Sequence, residues 1–320
     1  MRKILATTIV VLAPTTAMAA DGNIYDGFGS VAVGYNVLDE GKWWEDYGYF
    51  EGSDYSDSGN GEDKADGLDL EVRASAAAPL SGNFAGQVDG VFTRTALKWD
   101  DCDGCPTWKL NETSIAAHAF WREPDKGLVG LVGQRTAHTS NSWSGITTYY
   151  IGGEGQAHLD RFTIYGQVSY ASVDHSYVDT DGVNAALQLR YFPQDNLMVA
   201  LKGGYERMTT KPDDDYYDCP DYCYKDKATT WLIGAKAEYR LPDSKFSLFA
   251  DADYRDIKFR NSYIDSDYYW REEQYKYSDF RAMVGVKINF GSSTLLERDR
   301  SGASLDPVRP LAPNMWSFEM

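Results

Sequence analysis

The sequence predicts an all-β protein, a closed antiparallel up-and-down transmembrane β-barrel of about twelve strands, and three observations carry that reading. The first is the stretch from Asp279 to Phe290. There Phe280, Ala282, Val284, Val286, Ile288 and Phe290 alternate without a break with Arg281, Met283, Gly285, Lys287 and Asn289. Side chains on a strand point to opposite faces in turn, so one face meets an apolar medium and the other a polar one. The second is the start of the chain, where residues 1–20 read as an export signal. Arg2 and Lys3 supply charge, Ile4 to Leu12 an apolar run, and Ala17-Met18-Ala19 a small-x-small cleavage site. That run is too short to span a bilayer as a helix, and no later stretch reaches the roughly 18 apolar residues that a transmembrane helix needs. The third is the number of further alternating stretches and the regular difference in length between the segments that join them.

Taken in order, the first strand is Phe28 to Val37, with Val31, Val33, Tyr35 and Val37 opposite Ser30, Ala32, Gly34 and Asn36. A polar loop, about Leu38 to Ala65, separates it from Leu68 to Ala78. Pro79 to Asn83 leads into Phe84 to Trp99, where a bulge is expected near Arg94. Ser114 to Arg122 turns at Pro124-Asp125-Lys126-Gly127 into Leu128 to Thr139. Thr148 to Leu159 turns at Asp160-Arg161 into Phe162 to Ser172, and Val183 to Phe192 turns at Pro193-Gln194-Asp195-Asn196 into Leu197 to Met208. Thr230 to Leu241 turns at Pro242-Asp243-Ser244 into Phe246 to Arg255, and a Tyr-rich loop precedes the closing strand. Connections after even-numbered strands are short; those after odd-numbered strands are longer and mostly acidic. Short turns on one side and long loops on the other are the habit of a membrane barrel, and closure satisfies edge groups that lipid cannot. A sandwich does not need this loop asymmetry, and a propeller would show a blade-length repeat that is missing here.

Composition agrees. The chain holds 23 Tyr and 9 Trp, amphipathic residues that gather where a protein passes from apolar to aqueous surroundings. The formal charge of −17 excludes a nucleic-acid surface, which must be basic. Four cysteines in an exported chain are expected as two local disulfides, Cys102 with Cys105 and Cys219 with Cys223, zinc being the lesser alternative. No cofactor is expected.

From the signal through Phe290 the chain resembles a Gram-negative outer-membrane β-barrel protein of the porin-like class. The closing Val284-Gly-Val-Lys-Ile-Asn-Phe290 resembles the C-terminal aromatic signal read by the barrel-assembly machinery, with Phe290 as its last residue. Thirty residues follow that Phe, a departure from the usual pattern. The resemblance implies residence in the bacterial outer membrane, with lipid and lipopolysaccharide as surroundings and both termini periplasmic. Three parts are expected: the signal over 1–20, the barrel over 21–290 and a periplasmic tail over 291–320.

With the apolar faces toward lipid, parity assigns side chains to the lumen. The acids are Asp69, Glu71, Asp89, Glu154, Glu206, Glu238, Asp251 and Asp253. The bases are Arg73, Arg122, Arg135, Arg190, Lys202, Lys236, Arg240, Arg255, Arg281 and Lys287. The two sets nearly balance, and the excess negative charge falls in the outer loops: residues 39–66 hold ten acids and two Lys. About eight strands make a barrel filled by side chains, while 16–18 leave an open pore. Twelve favours a narrow diffusion channel for small polar or charged solutes, the alternative being a filled structural or adhesive barrel.

Two weaker signals complete the reading. His138-Thr139-Ser140-Asn141 resembles the His-x-Ser-Asn segment of outer-membrane phospholipase A and lipid A deacylases. If Arg135 points inward, His138 and Ser140 face outward near the rim, where such a hydrolase works. The third group that would orient the His is missing from Tyr149, Ile151, Gly153 and Gly155 on the neighbouring strand, and Glu154 has the wrong parity. The acidic runs 54–66 and 213–215 offer carboxylate oxygens to Ca²⁺ without the spacing of a dedicated loop. His118 and His158 have inward parity and read as hydrogen-bonded lumen residues.

Overall fold

The structure, a computed structural model, describes residues 26–49, 54–61, 64–99, 107–141, 145–174, 178–212, 224–264 and 269–311. These form β1 (Asp26–Tyr49), β2 (Asp54–Asn60), β3 (Lys64–Ser81), β4 (Phe84–Trp99), β5 (Trp108–Glu123), β6 (Gly127–Ser140) and β7 (Ile146–Leu159). They continue as β8 (Phe162–Asp174), β9 (Val178–Gln194), β10 (Leu197–Pro212), β11 (Tyr224–Arg240), β12 (Phe246–Ile264), β13 (Tyr269–Phe290) and a short helix, α1 (Leu295–Ser301).

Each stave pairs antiparallel with its neighbour, and β13 returns to β1 with Gly27 opposite Phe290 and Val33 opposite Val284. β2 pairs only with the far end of β1, so the closed ring has twelve staves and β2 hangs on its rim. Closure leaves no unpaired strand edge within the lipid, the condition for spanning a bilayer with strands. The connections at one end, the turn end, are tight. Asp160 (φ 52°) and Asp243 (φ 53°) sit in the left-handed region there, which a short polar side chain tolerates.

Strand lengths differ from expectation in one direction. β1 runs on to Tyr49 and β13 begins at Tyr269, and the described residues of the expected loop 38–65 are strand apart from Gly61. Beyond the bilayer both faces of a strand meet water, so the pairing continues after the alternation has stopped. No bulge breaks β4 at Arg94: pairing with β3 runs unbroken from Trp99 to Ala85, and inward Gln87 and Asp89 keep phase with Leu97.

The outer face is apolar with aromatic margins. On four staves two exposed aromatics stand eight residues apart: Phe84 and Phe92, Phe162 and Tyr170, Trp231 and Tyr239, Phe246 and Tyr254. Eight residues at about 3.3 Å each, tilted by about 40°, separate the two girdles by roughly 20 Å along the axis. Exposed Val88, Ile115, Leu131, Ile151, Val168 and Ile233 fill the band between. This is the hydrocarbon-facing belt of a membrane barrel.

The interior is packed. Toward the loop end an apolar layer crosses the lumen, with Val132, Tyr150, Met208, Ile257 and Phe259 in one cluster and Leu38, Leu97 and Leu110 in a second. Tyr277 packs against both. Toward the turn end the filling is charged, and part of it is supplied by the chain after Phe290.

Candidate functional site

The segment expected as a tail outside the barrel turns back into it. Its first step is a local capping arrangement. The Thr294 hydroxyl accepts from the Glu297 amide at 3.0 Å, and the Glu297 carboxylate accepts from the Ser293 amide at 2.6 Å. Reciprocal bonds of this kind start a helix by satisfying its free amides. The Ser293 hydrogen bonds hold the Glu297 carboxyl below its ordinary value. Leu295 then packs on Phe192 and Met198 beside the turn between β9 and β10.

From α1 onward the wall holds the segment residue by residue. Arg298 forks onto Glu238 at 2.9 and 3.0 Å, and Glu238 also takes Lys287 at 2.8 Å. Asp299 accepts from Arg190 at 2.9 Å and from the Thr163 hydroxyl at 2.5 Å. Asp26 accepts from the amides of Ser292 and Ala303 at 2.8 and 2.7 Å. Arg122 donates to the Gly302 carbonyl at 2.9 Å, and Gln87 bonds both the carbonyl and the amide of Leu305 at 2.8 and 3.2 Å. Leu305 is buried with Phe120, Leu128 and Tyr165. Gln134 donates to the Val308 carbonyl at 2.6 Å, Asn184 to the Arg309 carbonyl at 3.0 Å, and Glu206 accepts from the Leu311 amide at 3.2 Å. An extended backbone in a lumen has no strand beside it, so lumen side chains satisfy its amides and carbonyls instead.

Asp306 is the electrostatic centre of this contact. It takes Arg73 at 2.6 Å, Arg190 at 3.0 Å and Gln188 at 2.9 Å. Burial alone would raise its carboxyl; the charges of Arg73 and Arg190 overcome that and hold it well below the usual carboxylate range. Three residues further on, Arg309 pairs with Asp253, and Lys202 bridges Asp253 and Asp251 at 2.6 Å each.

Next to the segment lies a cavity of about 220 Å³. Asp306 to Leu311 form one side of it; the rest comes from the wall, including Glu71, Lys236, Asp251, Arg255 and Arg281. Arg281 meets Asp69 at 2.6 Å and Glu71 at 3.3 Å, and Arg255 lies 3.4 Å from Asp279. Phe28 and Phe249 add apolar surface, with the Lys287 ammonium 4.2 Å from the centre of the Phe28 ring.

The structure also places Asp89, Glu154 and Arg240 on the interior face, with His118 between Asp89 at 3.3 Å and Glu154 at 2.8 Å. Nδ1 of buried His158 is 2.8 Å from the Pro124 carbonyl oxygen. Phe290 ends β13 on the outer parity, half-buried.

Arg135 does not face in. Val132, Gln134, Thr136 and His138 are buried in alternation along β6, so Arg135 is on the outer face opposite Tyr149. Tyr149 is 46% exposed at the loop-end margin, where a long guanidinium stem can lie along apolar surface and reach water. The same parity turns His138 inward, 3.7 Å from Glu112, and gives Ser140 inward parity as well. The arrangement that a lipid hydrolase would need on the outer wall is therefore absent from this stretch of β6.

The expected disulfides are withdrawn: none is found among the described residues, and Cys102, Cys105, Cys219 and Cys223 all lie outside them. The export signal, 213–215 and 312–320 lie outside them too. Of the 54–66 run, Asp54 to Asn60 form β2, and no group of three acids, His or Cys arranged for a metal ion occurs among the described residues. Sequence reasoning missed Arg298, Asp299, Asp306 and Arg309. The available signal was the Thr294–Glu297 cap, followed by leucines spaced among charges of both signs.

Comparison with known proteins agrees with the geometry. Among solved structures the chain is similar to an outer membrane channel from Pseudomonas putida F1, with TM-score 0.56 and 12% identity over 83% of this chain and 96% of that one. It also matches a Pseudomonas aeruginosa FadL homologue, with TM-score 0.40 and 8% identity over 83% and 90% of the two chains. A third match is the translocator domain of the autotransporter NalP from Neisseria meningitidis, with TM-score 0.40 and 14% identity over 80% and 88%. No curated protein sequence matches. The family model described as outer membrane protein beta-barrel domain matches residues 128–300, and the chain belongs to that family of bacterial outer-membrane barrels.

Proposed function

We propose that this protein is a narrow outer-membrane channel for small polar or charged solutes, held shut at its turn end by its own C-terminal segment. The observation that carries the reading is the way residues 302–311 are held. Their contacts are mainly hydrogen bonds and ion pairs with lumen side chains, Arg73, Arg190 and Asp253 among them. Such contacts exchange readily for water, so a net hydrogen bond contributes only about 1 kcal/mol. A segment docked in this way leaves a hydratable, mixed-charge wall behind when it moves. The fold likeness at TM-score 0.56 is to a protein described as an outer membrane channel, which supports the reading. In this reading the turn end and both termini face the periplasm, and the acidic loops face outward toward lipopolysaccharide. Assembly into the membrane proceeds through the barrel-assembly machinery.

A second reading has its own observation. The apolar layer of Val132, Tyr150, Met208, Ile257 and Phe259 with Val308 is the filling of a structural barrel. Conductance in planar bilayers separates the two. Discrete steps from the purified full-length protein, made longer-lived by Asp306→Asn, support the channel. Silence from both proteins at every voltage overturns it in favour of the filled barrel.

A further inference from the structure

One charge beside the mid-barrel cavity is left over by the ion-pair network. Seven Lys or Arg and five Asp or Glu line the cavity. Every one of those carboxylates has a basic partner. Asp69 and Glu71 share Arg281, and Asp251 takes Lys202. Asp306 takes Arg73 and Arg190, and Glu112 stands 3.7 Å from His138. Lys236 makes no ion pair with any described residue; its ammonium stands 5.9 Å from the centre of the Phe249 ring. Three further donors of lining side chains are shut off from solvent without a hydrogen-bond acceptor among the described residues. They are Nε of Arg73, whose other nitrogens hold Asp89 and Asp306, Nε of Arg255, whose side chain is 8% exposed, and Nη2 of Arg309.

We propose that this cavity is a binding site for a small organic anion, a carboxylate carried on an apolar or aromatic body. Lys236 supplies the principal charge, with Arg255 and Arg309 as the flanking donors. The body is specified by the other half of the lining: Phe249, Leu232, Met283, Val308 and Leu311 present carbon to the same space as the cations. A bare inorganic anion would leave that surface unused. Asp69 also holds a carboxylate oxygen without a hydrogen bond, but that carboxylate is already paired with Arg281. The volume of about 220 Å³ suits a molecule of benzoate size and excludes an oligomer. The proposal rests on the channel reading only for the route by which the solute arrives.

Calorimetric titration of the full-length protein in detergent tests the site. The probes are benzoate, benzyl alcohol as a neutral body and inorganic phosphate as an anion without one. Benzoate is expected to bind about tenfold or more tightly than either of the others. Lys236→Gln should weaken benzoate by about tenfold or more, and Lys236→Arg should keep it within a few-fold of the parent. Circular dichroism and heat resistance equal to the parent show that both variants are folded barrels. Equal benzoate affinity in Lys236→Gln, phosphate binding as tight as benzoate, or no binding of benzoate each overturns the proposal. Binding with bilayers that stay silent keeps the site and removes the channel; conductance without benzoate binding does the opposite.

Discussion

Replacing Asp306 by Asn perturbs the docked segment where its charge contacts converge. Removing one partner of a buried ion pair typically costs about 3–5 kcal/mol, because the other charge is left in a poor solvent. Three features reduce that figure here. Arg73 keeps Asp89 at 2.9 Å, and Arg190 keeps Asp299 at 2.9 Å. The Asp306 side chain is 25% exposed, and Asn preserves one acceptor for Gln188. About 2–3 kcal/mol remains, which lowers the docking equilibrium by roughly 30- to 150-fold. Amide hydrogen exchange followed by mass spectrometry measures it directly. Protection over residues 302–311, including the Leu305 amide on Gln87 and the Leu311 amide on Glu206, should fall by that factor while β8 and β11 keep theirs. Unchanged protection in the segment would refute the reasoning that charge pairs hold it. A fall shared equally by the strands would refute the separation of plug from barrel.

The depressed Asp306 carboxyl sets a pH dependence: its contribution is fully present above the ordinary value near 3.9 and is lost only as pH falls through the lower docked value. Segment protection factors should therefore be flat from about pH 5 to 8 and fall only below about pH 4. Leu305→Ala, at a site 1% exposed among Phe120, Leu128 and Tyr165, should weaken docking by about 2–5 kcal/mol, read by the same exchange measurement. Ile151→Arg places a charge in the middle of the lipid-facing band and should destabilise the barrel by about 2–4 kcal/mol in denaturant unfolding from lipid vesicles. Arg135→Leu, on the same outer face at the rim, should change stability by less than about 1 kcal/mol in that assay.

Lipid contact is what made the barrel legible. Hydrocarbon on one side and water or polar groups on the other force the period of two, so Val31, Val33 and Tyr35 sort themselves from Ser30, Ala32 and Gly34 without any structure. Where the forcing ends, legibility ends. From Glu40 to Tyr49 the first stave pairs with β13 under no constraint on its faces, and composition alone made it a loop. The interior was legible only in direction. Parity turns Leu97, Met208 and Phe259 inward but does not announce that they meet across the lumen to form an apolar layer. Arg135 shows the converse failure. A charged residue was assumed to face in, although Gln134 and Thr136 beside it were the polar pair that does so. The C-terminal segment has no period to detect. Its contacts, such as Ala303 with Asp26 and Arg298 with Glu238, join positions remote in the chain and depend on a closed ring existing first.

The net charge of the chain is a poor guide to what a solute meets inside. Much of the −17 is concentrated in one stretch of sequence, with ten acids against two Lys in 39–66. At physiological ionic strength the Debye length is about 8 Å, so exposed acids at the mouth act weakly on a charge deep in the barrel. Lumen charges are screened far less, and there the local count governs. Around the cavity that count favours cations, seven Lys or Arg against five Asp or Glu, and Lys236 alone of the seven has no ion pair among the described residues. A selectivity inferred from total charge would predict a cation path. The geometry instead separates an acidic stretch of sequence from a cavity whose one cation without an ion pair among the described residues is Lys236.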